Sequence, residues 1–126
     1  MPAPEPLHGQ RVVAAPAALD ALAGALPAGT TVLRFAPDEA LVVGADAGAV
    51  TTVDPDAIVV DEAGFVALTV DRAVVERHVE WGLPPAGGFA QGAIAGVPAK
   101  LAWLPDGRAR IVTHAAYLAD LEARLR

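Results

Sequence analysis

Three residue types are missing from this 126-residue chain (cysteine, serine and asparagine), and lysine occurs only once, at Lys100. Without thiols there can be no disulfide, no thiolate metal site and no cysteine nucleophile; without serine the commonest hydroxyl nucleophile is gone as well. Positive charge is scarce, with nine Lys and Arg against fifteen Asp and Glu and a net charge of −6. That balance disfavours nucleic acid and anionic membrane, because both bind through a basic surface whose counterion release drives association. Large aromatics are few too: three Phe, two Trp and one Tyr, so the core has to be aliphatic. No apolar run reaches the ~20 residues needed to span a bilayer. The start, MPAPEPLHGQ, lacks the basic-then-apolar order of a secretory signal. A cytoplasmic location is the expectation.

What is present is organised around the last third, Gly88 to Arg126. Ala99 to Leu104 has strand composition, Pro105-Asp106-Gly107 supplies turn chemistry, and Ala109 to Val112 resumes the strand, which together spell a hairpin. Thr113 then stands as the cap of a helix over 114–125, with Tyr117, Leu118, Leu121 and Leu125 at helical spacing. Asp120 with Arg124 and Glu122 with Arg126 are acid-before-base pairs four apart.

Upstream, residues 1–10 are rich in proline and read as a flexible terminal segment, leaving 11–126 as a single domain. Arg11 to Ala14 reads as a short strand. Pro16 opens a helix over 16–26 that puts Leu19, Leu22, Ala23 and Leu26 on one face. Thr31 to Phe35 and Leu41 to Val43 flank Ala36-Pro37-Asp38-Glu39, a type I turn, and so form a second hairpin. Gly44 to Asp56 reads as loop, with a short strand around Val50 to Val53. Ala57 to Val60 and Phe65 to Val70 are apolar runs separated by turn material at Asp61 to Gly64. Asp71 caps a helix over 72–81, which Gly82 ends. The sum is α+β: an antiparallel sheet with helices packed mainly on one face.

Candidate sites are thin. His8, His78 and His114 share no metal-ligand spacing, so no metal is expected. The acidic pairs Asp54/Asp56 and Asp61/Glu62 lack the spaced pattern of a calcium loop and read as solvated turns. Gly87, Gly88, Gly92 and Gly96 match neither a P-loop nor a dinucleotide turn, and read as bends. Lys100 alternates outward from its strand. Trp81 and Trp103 offer faces for stacking on a flat heterocycle such as a pterin, or equally for packing or a partner surface. No catalytic residue is assigned.

With those residues placed, LRFAPDEALVVG at 33–44 resembles an L-R-L-G-P-D-E-W-L-L segment of the gamma subunit of heterotetrameric sarcosine oxidase, a relative of the folate-binding aminomethyltransferase fold. DEAGFVALTVDR at 61–72 falls where that family has a strand leading into a helix. Residues 92–125 resemble its closing G-x-x-A-G-V-P, two strands and a helix carrying Y-L-x-x-L. The chain departs from the family with Ala40 in place of Trp, with Thr113-His114 in place of Arg-Ser, and with Thr69-Val70-Asp71 in place of a Ser and Gly-Pro step. The resemblance implies a non-catalytic accessory subunit that docks on larger flavin-dependent amine-oxidising subunits in one-carbon metabolism and binds no cofactor alone. The alternative is a free-standing folate or pterin module. It would take tetrahydrofolate, with Trp81, Trp103 or Tyr117 stacking and Arg34 on the glutamate tail.

The strands around Leu41 to Val43, Phe65 to Val70 and Leu101 to Leu104 hold apolar residues at successive positions, as strands covered on both faces do. A second chain, either a larger flavoprotein subunit or another copy in a homo-oligomer, is the expected cover. Trp103, Leu41 and Val43 are the expected contact residues.

Overall fold

The computed structural model describes residues 3–85 and 88–126. Its seven strands are β1 (Glu5–Val13), β2 (Thr31–Ala36), β3 (Glu39–Val43), β4 (Ile58–Val70), β5 (Phe89–Ile94), β6 (Val97–Trp103) and β7 (Ala109–His114). The helices are α1 (Pro16–Ala25), α2 (Val50–Val53), α3 (Arg72–Glu76) and α4 (Leu118–Leu125). The strands hydrogen-bond in the order β2-β3-β1-β4-β7-β6-β5. The β1–β3, β2–β3, β4–β7, β5–β6 and β6–β7 pairings are all antiparallel, so the α+β class with an antiparallel sheet is as expected. The chain forms two compact units, Leu7–Ala63 and Gly64–Arg126, the latter with the described residues up to Pro6.

In the first unit the Pro37-Asp38 turn joins β2 and β3 as expected, with Leu33 opposite Leu41. Strand alternation carries Val12, Ala40 and Val42 to one face, where α1 covers them with Ala18, Leu19 and Leu22. Helix α1 starts at Pro16, whose missing N–H costs nothing in a first turn. The preceding Ala15 N–H donates to Asp54 Oδ2 at 2.8 Å.

Three expectations fail in this unit, each for a local reason. The terminal segment is not free from residue 1 to 10: β1 begins at Glu5, buries Leu7, and from Gly9 onward pairs with β3. Gly9 is needed there, since a Cβ would lie 2.4 Å from the Val42 carbonyl oxygen. Met1 and Pro2 lie outside the described residues. Val50–Val53 is a helical turn rather than a strand, because Asp46 Oδ1 accepts the Gly48 N–H and Thr51 Oγ1 donates to the Gly48 carbonyl, closing the chain locally. The acidic stretch Asp61 to Gly64 is no turn. Strand β4 runs straight through it, and Glu62 meets Arg11 at 3.6 Å while Arg11 also pairs with Glu39.

In the second unit, Leu68, Leu101 and Ile111 lie side by side across β4, β6 and β7. With Val70, Val97 and Trp103 they form a core closed by Val75 of α3 and by Leu121 and Leu125 of α4. The β6–β7 hairpin turns at Gly107 (φ +87°), as its Pro-Asp-Gly composition requires. The β5–β6 hairpin is not legible in the sequence, where Gly88, Gly92 and Gly96 read only as bends. Ala95 (φ +51°) and Gly96 (φ +78°) make a two-residue turn with both residues left-handed, the geometry that matches strand twist.

The two helix boundaries also move. α3 stops at Glu76, so neither Trp81 nor the Gly82 stop belongs to it. Thr113 does not cap a helix: it remains in β7, buried, with Oγ1 donating to the Pro98 carbonyl at 2.8 Å. A 3-10 turn at Ala115–Tyr117 then leads into α4. Arg124 reaches neither Asp120 nor solvent alone; it donates to the Ala95 carbonyl at 2.9 Å and holds the β5–β6 turn.

Candidate functional site

A groove of about 410 Å³ lies in the second unit, between the segment that follows α3 and the β5–β6 hairpin. Its wall is Trp81. The indole N–H donates to the Ala93 carbonyl at 2.8 Å, and the ring lies against Gly92, where a Cβ would come within 2.8 Å of Nε1. Glycine at 92 is what lets a flat ring approach the strand so closely. The floor is tied by the Ala95 N–H, which donates to the His78 carbonyl at 2.8 Å. Arg77, His78 and Glu80 complete the rim.

A second, more open hollow of about 450 Å³ in the first unit is lined by His8, Gln10, Gly44, Asp61 and Glu62. Gln10 Oε1 is engaged there with the Ala47 N–H at 2.6 Å. Among the described residues no group of three or more His, Asp and Glu side chains is placed to hold a metal ion.

Each residue singled out in sequence has surroundings of its own within its unit. The Arg34 guanidinium is engaged by Asp20 Oδ1 at 2.9 Å and by the Pro37 and Pro16 carbonyls, which leaves it committed where a glutamate tail would have to bind. Trp103 is only 9% exposed, with Nε1 donating to the Pro84 carbonyl at 2.9 Å and the Arg72 guanidinium 4.9 Å over its ring. Tyr117 is 39% exposed and meets His114 edge-on at 6.1 Å. Trp81 lines the groove described above. Arg34 belongs to the first unit, and the three aromatic residues belong to the second. Of the expected contact residues, Leu41 is fully buried, Trp103 nearly so and Val43 half-buried.

The strand order and the three hairpins invite comparison with known structures. The fold is similar to that of a sarcosine oxidase chain. The match is to a chain of the heterotetrameric sarcosine oxidase from Corynebacterium sp. U-96, solved in complex with pyrrole 2-carboxylate. It covers 97% of this chain and 79% of that one, with a TM-score of 0.73 and 19% sequence identity. No protein-family model matches this sequence, and no curated protein does. The resemblance seen at 33–44 and 92–125 therefore coincides with a likeness of fold over nearly the whole chain.

Sequence reasoning missed two side-chain groupings. His114, read only as a helix start, stacks on Phe65 with ring centroids 4.4 Å apart, and Lys100 Nζ stands 5.4 Å over the same Phe65 ring. Their signal was the register Phe65 opposite His114, legible only once β7 is known to extend through Thr113. Arg77, His78 and Glu80 carried no signal, since the periodicity assigned them to a helix that ends at Glu76. Gly87 lies outside the described residues. Among the described residues no helix is long and apolar enough to cross a membrane.

Proposed function

We propose that this chain is a non-catalytic accessory subunit of a sarcosine oxidase-like complex, docking on larger flavin-dependent amine-oxidising subunits that serve one-carbon metabolism. The observation that carries the reading is the likeness of fold to a chain of a heterotetrameric enzyme over 97% of this chain. A family's function does not follow from its fold, so the assembly itself has to be tested. The polar equipment singled out in sequence also supports a structural role: Arg34, Trp103 and Thr113 spend their donors on carbonyls and carboxylates of this same chain.

The deciding experiment is affinity purification of the tagged full chain from native extract, and after co-expression with the larger subunits of a sarcosine oxidase, followed in both cases by size-exclusion chromatography. A stable complex with amine oxidase activity, and neither oxidase activity nor flavin absorbance in the chain purified alone, is the expected result. Failure of the chain to co-purify with any flavoprotein would overturn the proposal. Titration of the isolated chain with tetrahydrofolate, read by tryptophan fluorescence, separates the folate-module alternative; saturable quenching would favour that alternative.

A further inference from the structure

The rim of the Trp81 groove carries two opposite charges that nothing among the described residues neutralises. Arg77 and Glu80 are both exposed and both line it, yet among the described residues neither side chain has a hydrogen-bond or ion-pair partner, and they do not pair with each other. Arg72, Arg108, Arg110 and Arg124 of this unit do find acceptors, on Glu76, Asp106, Glu5 and the Ala95 carbonyl, whereas Arg77 and Arg126 find none among the described residues. One wall of the groove is a flat indole fixed by its own N–H, so the ring cannot swing to fill the space. The opposite side is the β5–β6 turn, where Ala95 holds a left-handed conformation that a residue with a Cβ adopts rarely and at a cost. His78, with its carbonyl bound to Ala95, adds an imidazole to the same lining. The volume, about 410 Å³, is in the range of small-molecule sites.

We propose that this groove binds a small zwitterion of the amino-acid class, its carboxylate on the Arg77 guanidinium, its ammonium on the Glu80 carboxylate, and an apolar or aromatic side chain against the Trp81 indole. A simple anion would leave Glu80 opposing it, and a simple cation would leave Arg77 doing so; only a ligand carrying both charges satisfies the rim. A guanidinium presents a fork of donors that matches a carboxylate, and an ammonium beside an indole gains from the ring face as well. This binding belongs to the chain itself and does not depend on the assembly proposed above.

The test uses the full chain and three probes of one shape: L-phenylalanine, phenylacetate, which lacks the ammonium, and phenethylamine, which lacks the carboxylate. Binding is followed by two-dimensional NMR at the Trp81 indole and at the Arg77 to Trp81 amides. Phenylalanine is expected to give saturable shifts there, with each singly charged probe at least about tenfold weaker, since each loses one charge-assisted contact. In R77Q, phenylalanine is expected to fall to the level of phenethylamine, and in E80Q to the level of phenylacetate. Both side chains are exposed, so neither variant endangers folding. Equal binding of the three probes, shifts centred away from Trp81, or no saturable shift up to about 50 mM, well beyond millimolar recognition, would each overturn the proposal.

Discussion

The Trp81 indole nitrogen and the Ala93 carbonyl oxygen stand 2.8 Å apart, a hydrogen bond that joins the segment after α3 to the end of β5. The bond exists only because residue 92 has no side chain. Gly92→Ala would place a Cβ 2.8 Å from Nε1 and force the indole off the strand. A loss of roughly 1–3 kcal/mol is expected, the usual cost of inserting a methyl group into packed surroundings. Urea unfolding gives the energy, and a red shift of tryptophan emission reports release of the ring. A variant with wild-type midpoint and emission would show that the ring is not held as described.

Leu121 has no exposed surface and seals the core of the second unit from α4. Leu121→Ala is expected to cost about 2–5 kcal/mol, the transfer free energy plus the cavity left behind. Val60→Ala, at a side chain 50% exposed, should stay within about 0.5 kcal/mol. Thermal or urea unfolding of the pair checks the contrast, and similar losses in both would contradict the placement of α4.

Arg124 should matter through the Ala95 carbonyl and not through Asp120. Arg124→Gln is expected to cost roughly 1 kcal/mol, the size of one hydrogen bond at a partly solvated site. Asp120→Asn should leave stability nearly unchanged. Amide exchange at Gly96 and Val97, quicker in the first variant and unaltered in the second, reads the effect at the turn itself.

Asp106 sits in the β6–β7 turn, where its carboxylate accepts the Arg108 backbone N–H at 2.9 Å and the Arg108 Nε–H at 2.8 Å. The backbone bond first, and the guanidinium second, hold its pKa below the ordinary 3.8. A group whose folded pKa is depressed lends stability above its unfolded pKa and loses it as pH falls through the folded value, so this turn should loosen only in acid below the normal carboxylate range. Carbon-detected NMR titration of the Asp106 carboxyl gives the midpoint; one at or above 3.8 would contradict the contacts.

Local chemistry made some of this fold legible in the sequence. Pro37-Asp38 and Pro105-Asp106-Gly107 name their turns because proline fixes φ and glycine alone enters the left-handed region freely. Pro16 marks the start of α1 for the same kind of reason, and the resemblance at 33–44 and 92–125 pointed to a fold like the one observed. Tertiary structure decided the rest, by supplying partners that sequence spacing cannot show. Val50–Val53 has strand composition yet turns, because Asp46 and Thr51 close it with side-chain bonds. Asp61 to Gly64 looks like a turn yet extends, because Arg11 is at hand for Glu62. Thr113 had the chemistry of a helix cap, but the Pro98 carbonyl of the neighbouring strand claimed its hydroxyl. Leu41 and Trp103 were read as surface for another chain, and in the fold both are buried. Composition and turn residues act over three or four positions, and they determined the class and the hairpins at Pro37-Asp38 and at Pro105-Asp106-Gly107. Which face each strand buries, and which side chains meet at the Trp81 groove, depends on pairings between residues far apart in sequence, and only the folded chain fixes those.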